Sequence, residues 1–168
     1  GIKAIMLLTQ LGYEVVIPRH TVSGRTYFSK GLLRQARRKA ERNVLALRHK
    51  ITEDTPLIGI EPSAILSFRD EYPDMVSQSL RRDANALGQH SLMFEEFIAR
   101  EMEKGRILSQ AFTQEHRNIL LHGHCQQKAI ATTDYSKKAL GLPENYSVEE
   151  IPSGCCGMAG SFGYEEEH

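Results

Sequence analysis

The sequence has no tryptophan, only three cysteines among its 168 residues, and no surplus of either charge. Three cysteines are too few for the disulfide framework of a small secreted domain. The 21 basic and 21 acidic residues give a formal net charge of zero, so no overall positive field favours nucleic acid. There is neither a secretory signal nor an apolar run of about eighteen residues. These absences predict a cytoplasmic protein without a transmembrane segment, for which peripheral contact with the inner membrane face is an alternative location.

Charge is nevertheless unevenly distributed along the chain. Residues 30–50 carry eight basic side chains against Glu41 alone. Apolar residues recur at helical spacing in this segment, which predicts an amphipathic helix. A solvated helix surface is one interpretation of the basic residues, and a docking face is the other.

Segments typical of strands alternate with segments typical of helices. The helices are predicted at residues 1–12, 30–50, 64–72, 91–105 and 126–141, and the strands at residues 13–18, 55–60, 118–125 and 146–152. Ser63 is the predicted N-cap of the helix at 64–72. This alternation predicts an α/β fold with Rossmann-like parallel sheets and flanking helices. In such folds the functional site lies at the carboxyl ends of the strands.

Two segments near the ends of the chain have similar sequences. Residues 11–25 and 144–158 share a tyrosine, a predicted strand, an Ile-Pro pair and a glycine. This similarity places Val22-Ser23-Gly24 at the position of Cys155-Cys156-Gly157. It predicts two related half-domains at residues 1–85 and 86–168, with one continuous compact unit as the alternative.

The three cysteines follow predicted strands. Cys125 follows one strand, and the adjacent pair Cys155 and Cys156 follows the next, with 29 residues between Cys125 and Cys155. The carboxyl ends of parallel strands meet at one edge, so the three thiols are expected to converge. Gly154 and Gly157 flank the pair, where they would let the backbone approach an inorganic group and direct N–H groups at its sulfurs.

Three thiolates are one ligand short of a tetrahedral zinc site or a four-cysteine iron–sulfur cluster. His124 or His122 is a candidate for the fourth ligand, and a residue outside the chain is another. Each feature also has a simpler interpretation. Cys125 is then a small buried hydrophobic residue, the glycines form a flexible turn, and the histidines are polar residues at a strand end.

The segments "SKGLL", "IGIEPSAILSFRDEYP", "LHGHCQQKA" and "IPSGCCGMAGSFGYE" give the chain a resemblance to a known family. It resembles the cysteine-rich CCG domain that occurs in heterodisulfide reductase and in the iron–sulfur subunit of glycolate oxidase. Within that family it is similar to the carboxyl-terminal part of bacterial FAD-linked glycolate or D-lactate oxidases. The last two segments are the most specific.

The resemblance implies that Cys125, Cys155 and Cys156 are iron–sulfur ligands of the 4Fe–4S class, with zinc as an alternative. It also implies a final ligand beyond His168, so that the cluster is expected to be incomplete or absent in this chain. In the first repeat, Val22 and Ser23 stand in place of the cysteine pair, which implies a degenerate site. Ala64, where relatives often carry cysteine, and Gln126, where histidine is expected, also depart from the pattern.

The function implied by the resemblance is electron transfer. A flavin domain or subunit of the same enzyme, with FAD bound upstream, would oxidise a 2-hydroxy acid. Iron–sulfur centres in this chain would then pass the electrons to a quinone or another acceptor, and no residue here would be catalytic. Three alternatives stay open: a structural zinc site, a thiol catalyst with Cys155 or Cys156 as nucleophile and His124 as base, and a metal-free scaffold.

Overall fold

The computed structural model describes residues 1–158 and 166, which combine helices with short parallel strands. The helices are α1 (Ile2–Gln10), α2 (Arg25–Ser29), α3 (Leu33–Leu47), α4 (Pro62–Leu66), α5 (Glu71–Met75), α6 (Arg81–Gln89), α7 (Phe94–Glu103), α8 (Cys125–Ile130) and α9 (Asp134–Leu140). The strands are β1 (Leu57–Gly59), β2 (Ser91–Met93), β3 (Arg117–Leu121) and β4 (Tyr146–Glu150), and single 3₁₀ turns lie at Gln78–Leu80 and Ser109–Ala111. The predicted α/β class is therefore confirmed.

The chain packs as two compact units. The first contains Gly1–Ile17 and Phe94–Gly154, and the second contains Pro18–Met93 and the described residues from Cys155 onward. These units are defined by packing, whereas the repeat boundary at residue 85 concerns ancestry and stays a prediction. None of the described helices combines the length and apolar composition needed to cross a bilayer.

In the first unit, β3 and β4 pair in parallel from Arg117↔Tyr146 to Leu121↔Glu150. Helix α7 presents Phe97 and Ile98 to a small core, and the ring of Tyr13 meets that of Phe97 edge to face with centroids 5.1 Å apart. The Tyr13 hydroxyl donates a hydrogen bond of 2.8 Å to the buried carboxylate of Glu101. This contact fixes the chain just after α1 against α7.

In the second unit, β1 and β2 pair in parallel from Leu57↔Ser91 to Gly59↔Met93. Buried side chains of α3 and α6 contribute to the adjacent core, including Ala40, Val44, Leu47 and Leu87. Gly59 is required by close packing, because a Cβ at this position would lie 2.4 Å from the Cβ of Ile65. The short strand therefore packs directly against α4.

Two predicted elements were wrong. Residues 13–18 join no sheet in the described part of the chain, although they carry the β-branched sequence of a strand. Val16 and Ile17 are largely exposed there, so the apolar pattern does not mark a buried strand. Ser91–Met93, predicted as the start of a helix, is instead the strand β2 because all three residues are buried beside β1.

The structure also revises two helix boundaries. The helix predicted at 126–141 is two helices, because Ala131 leaves the helical conformation with φ −133° and ψ −137°. The N-cap of α4 is Glu61 and not Ser63, since the Glu61 carboxylate accepts hydrogen bonds from the backbone N–H groups of Ser63 and Ala64. The predicted capping role of this turn is right, but the capping residue differs.

Candidate functional site

The strands β3 and β4 carry the candidate segments at their carboxyl ends. Their parallel register brings Leu121 opposite Glu150, so both strands end at the same edge of their sheet. His122-Gly123-His124-Cys125 follows β3, and Ile151–Gly154 follows β4. The backbone N–H of Ile151 donates to the carbonyl of Leu121 at 2.9 Å, which continues the pairing one residue past β4.

The two candidate histidines make local hydrogen bonds at this edge. His124 is the N-cap of α8, where its Nδ1 accepts a hydrogen bond of 3.2 Å from the backbone N–H of Gln126. His122 Nε2 lies 3.2 Å from the carbonyl oxygen of Gly154. A carbonyl only accepts, so this bond requires the proton of His122 to be on Nε2. A metal bound through either of these nitrogens would have to displace the hydrogen bond.

The three thiols are exposed and reduced. Cys125 is the first residue of α8, while Cys155 and Cys156 lie in irregular backbone. Gly157 has φ 85°, a conformation that favours glycine, and its backbone N–H donates to Cys155 Sγ at 3.4 Å. Glycine after the cysteine pair therefore turns one amide toward a sulfur.

Within residues 1–158 and 166, no three Cys, His, Asp or Glu side chains are grouped so that they could hold a metal ion. Cys125 belongs to the first compact unit, and Cys155 and Cys156 belong to the second. The described residues therefore group no complete set of ligands for a metal ion or an iron–sulfur cluster. The roles of Cys125, Cys155, Cys156, His122 and His124 as ligands remain predictions.

The Glu150 carboxylate, which the sequence did not mark as a candidate, connects several polar side chains near the ends of β3 and β4. Glu150 accepts a hydrogen bond of 2.7 Å from the Thr133 hydroxyl, and the ammonium groups of Lys128 and Lys137 each lie 3.6 Å from its oxygens. Lys128 also donates to the carbonyl of Ser153 at 2.9 Å. The Thr133 hydrogen bond, followed by the charges of the two lysines, lowers the pKa of Glu150.

Gly123 completes this arrangement. A Cβ at Gly123 would lie 2.6 Å from Lys128 Cε, 2.6 Å from Thr133 Cγ2 and 2.8 Å from Glu150 Oε1. The glycine between the two histidines is therefore needed for packing against the polar cluster. The only sequence signal for this cluster is the placement of Glu150 as the last residue of a strand that precedes the cysteine pair.

Polar groups hold the loop at Val22 and Ser23, which the internal sequence similarity aligns with the cysteine pair. The amide of Asn43 donates to the carbonyl of Val22 at 3.2 Å, and the hydroxyl of Tyr72 donates to the carbonyl of Ser23 at 2.7 Å. Asn43 also donates to the Tyr72 oxygen at 2.9 Å. Burial raises the pKa of the Tyr72 phenol, which keeps it a donor. The loop is fixed without any thiol.

Arg25, the first residue of α2 after this loop, forms an ion pair with Glu71 at the start of α5. Gly24 has φ 86°, and a Cβ there would lie 3.2 Å from the carbonyl oxygen of Ala36 on α3. The loop therefore sits tightly on α3. Ala64, where the family resemblance predicts a cysteine, lies in α4.

Comparison with known proteins relates the chain to parts of larger dehydrogenases. It is 28% identical over 165 residues to D-2-hydroxyglutarate dehydrogenase of Pantoea ananatis, covering 98% of this chain and 15% of that protein. It is 25% identical over 167 residues to D-2-hydroxyglutarate dehydrogenase of Haemophilus influenzae, covering 98% of this chain and 16% of that protein. It is 24% identical over 170 residues to a subunit of the anaerobic glycerol-3-phosphate dehydrogenase of Escherichia coli K12, covering 100% of this chain and 41% of that protein.

The chain thus spans less than half the length of each of these relatives. No family model and no solved structure matches it. The relatives are dehydrogenases, which agrees with the oxidoreductase class expected from the sequence.

Proposed function

We propose that this chain is an iron–sulfur electron-transfer segment of a larger FAD-linked dehydrogenase that oxidises a 2-hydroxy acid. The observation that carries the proposal is the parallel pairing of β3 with β4, which directs both strands to one edge of their sheet. A strand end followed by cysteine occurs twice, at Cys125 and at Cys155-Cys156. The sequence similarity between residues 11–25 and 144–158 supports two CCG-type repeats, of which the first has lost its site.

The relatives support the dehydrogenase part of this proposal. Two of them are named for D-2-hydroxyglutarate, which is a 2-hydroxy acid, and the third is part of a glycerol-3-phosphate dehydrogenase. The chain covers only a small share of the first two, which is compatible with a flavin domain elsewhere in the same protein. Glycolate, D-lactate and D-2-hydroxyglutarate are all candidate substrates of the complete enzyme. A quinone or another carrier is its proposed electron acceptor.

The proposed ligands are Cys125, Cys155 and Cys156, with His124 or His122 as a further donor. The described residues form no complete site, so the proposal requires at least one more ligand outside them. When bound, an iron–sulfur centre supplies one-electron transfer, and hydrogen bonds to its sulfurs raise its reduction potential. The N–H of Gly157, which already donates to Cys155 Sγ, is the group proposed to have this effect.

The polar cluster around Glu150 has a supporting role in this proposal. It ties the end of β4 to Lys128 and Thr133 and ties Lys128 to Ser153, two residues before the cysteine pair. A pre-positioned segment loses less conformational entropy when it binds a ligand. Glu150 is therefore a positioning residue and not a ligand.

The test is the iron, zinc and acid-labile sulfide content of the anaerobically purified full-length protein, measured together with its visible spectrum. The proposal predicts iron and sulfide that are lost in a Cys155→Ser/Cys156→Ser variant. They should persist in His20→Ala, which removes an exposed histidine outside the proposed ligand set. If the protein contained zinc but no sulfide, the proposed electron-transfer role would be wrong and a structural zinc site would take its place.

A metal-free scaffold is the second candidate function. The loop at Val22 and Ser23 supports it, because hydrogen bonds from Asn43 and Tyr72 hold that counterpart of the cysteine segment without a cysteine. In that case neither the parent protein nor the cysteine variant contains metal, and the two unfold at the same denaturant concentration. This candidate is excluded if the parent protein contains metal and the cysteine variant does not.

A further inference from the structure

The surface of α3 carries a basic groove that the electron-transfer proposal does not use. The groove has a volume of about 190 Å³ and is lined by Tyr27, Gln35, Arg38, Lys39 and Arg42. Four of these residues occupy one face of α3 over two turns, because Gln35 is followed by Arg38 and Lys39 after three and four positions, and these are followed by Arg42 after four and three. The phenol of Tyr27 on α2 forms a flanking wall. We call these five residues the α3 groove.

Glu41, the acidic residue on α3, is engaged away from the groove. Glu41 is the sole acidic residue in 30–50, and it pairs with Arg37 at 3.1 Å and accepts the backbone N–H of Ser77 at 3.0 Å. Within the described chain, Arg38 and Arg42 form neither an ion pair nor a hydrogen bond, and both are exposed. Their charges stand one helical turn apart, and no described acidic side chain pairs with either of them.

Lys39 is held in place at the edge of the groove. Its ammonium donates to the Thr21 hydroxyl at 3.3 Å, and an ammonium has two further donors. The two guanidinium groups present planar pairs of N–H donors, the geometry that suits carboxylates. The groove thus gathers donors for anionic oxygens and contains no acceptor-only side chain.

We propose that the α3 groove docks an acidic segment of a partner protein, with its carboxylate side chains seated on Arg38, Lys39 and Arg42. The volume is below the roughly 300 Å³ of ordinary small-molecule pockets, so the groove suits individual side chains. Single exposed ion pairs contribute little, and affinity requires several carboxylates on one chain. Arg34, one turn before Arg38, extends the basic row along the helix. This surface is independent of the metal proposal.

The probe for this docking surface is a hexaglutamate peptide titrated into the isotopically labelled full chain, with amide chemical shifts as the readout. Shifts are expected to concentrate at Tyr27 and along residues 35–42. Because the contact is electrostatic and exposed, raising the salt from about 0.05 M to about 0.5 M should weaken binding at least tenfold.

Substitutions then locate the site. Arg38→Gln/Arg42→Gln keeps good helix formers in α3 and should weaken peptide binding about tenfold. The matched control is Arg82→Gln, an exposed arginine on α6 that lies outside the groove, and it should bind the peptide like the parent. Circular dichroism verifies that both variants remain folded.

Four results would overturn the proposal. The first is the absence of peptide binding, and the second is equal weakening by Arg82→Gln. The third is inorganic phosphate binding as tightly as the peptide, which would make the groove a small-anion site. The fourth is binding to phosphatidylserine vesicles without binding to the peptide, which would make it a membrane contact.

Discussion

The hydroxyl of Tyr72 donates a hydrogen bond of 2.7 Å to the carbonyl of Ser23, the residue that the internal sequence similarity aligns with Cys156. Tyr72 is almost fully buried, and its oxygen also accepts a hydrogen bond from Asn43. Neutral hydrogen bonds therefore hold the loop at Val22 and Ser23, which the sequence similarity aligns with the two cysteines.

Tyr72→Phe tests how much these hydrogen bonds stabilise the folded protein. The variant removes the donor to Ser23 and the acceptor for Asn43, and leaves buried polar groups unpaired. The expected loss in the free energy of unfolding is about 1–3 kcal/mol, measured by urea denaturation. Tyr27→Phe is the control, because the half-exposed Tyr27 hydroxyl forms no hydrogen bond within the described residues. Equal stability of the two variants would contradict a structural role for Tyr72.

The contact between Tyr13 and Glu101 predicts that the free energy of unfolding depends on pH in two ranges, one acidic and one alkaline. Burial, together with the hydrogen bond to Glu101, raises the pKa of Tyr13 from 10.0 to about 12. Burial alone would raise the pKa of Glu101, but hydrogen bonds from Tyr13, Lys104 and Arg106 outweigh it and hold the pKa below 4.5. Folding therefore favours the neutral phenol and the ionised carboxylate.

The sign of the change in each pH range follows from these directions. The stabilisation of the folded state by ionised Glu101 is present above pH 4.5 and is lost as the pH falls through the lower pKa that Glu101 has in the folded protein. The Tyr13 contribution is complete below pH 10.0 and is lost as pH rises toward 12. Glu101→Gln should weaken the pH dependence of the unfolding free energy in the acidic range, and Tyr13→Phe should weaken it in the alkaline range. Glu115→Gln, at an exposed ion pair, should change the pH dependence in neither range.

Gly123→Ala tests the packing between the two candidate histidines. The added methyl group would overlap Lys128 Cε, Thr133 Cγ2 and a Glu150 oxygen, so a loss of about 1–3 kcal/mol in unfolding free energy is expected. Gly154→Ala is the matched control, because a Cβ there meets no atom within 4 Å. Its stability should stay within about 0.5 kcal/mol of the parent. Equal effects of the two substitutions would show that Gly123 is not constrained by its neighbours.

Glu150→Ala tests the positioning of the segment before the cysteine pair. Loss of the Thr133 hydrogen bond and of both lysine contacts should increase amide hydrogen exchange at Ile151 and Ser153. Glu149→Ala removes the neighbouring carboxylate on the exposed side of β4 and should leave exchange unchanged. Unaltered protection in Glu150→Ala would exclude a positioning role.

Local sequence patterns predicted the elements that carry the candidate site. The apolar run before His122 and the alternation before Ile151 correctly placed β3 and β4, because short parallel strands with turn residues after them leave a clear pattern. The helical spacing in residues 30–50 likewise identified α3. The α/β class followed from these elements.

Other features depended on contacts distant in sequence. Residues 13–18 have strand propensity but no neighbouring strand in the described chain, and propensity alone does not supply a partner. Ser91–Met93 became a strand because β1 lies beside it, which helical periodicity could not reveal. The Glu150 cluster joins side chains 17 and 22 positions apart in sequence, and no local pattern encodes that meeting.

The most direct test of the proposed function is the low-temperature electron paramagnetic resonance spectrum of the dithionite-reduced full-length protein. The expected result is an iron–sulfur signal that is reduced or lost in Cys125→Ser and Cys156→Ser and retained in His20→Ala. A spectrum without an iron–sulfur signal, or a signal that is unchanged in both cysteine variants, would contradict the claim that these thiols hold an electron-transfer centre.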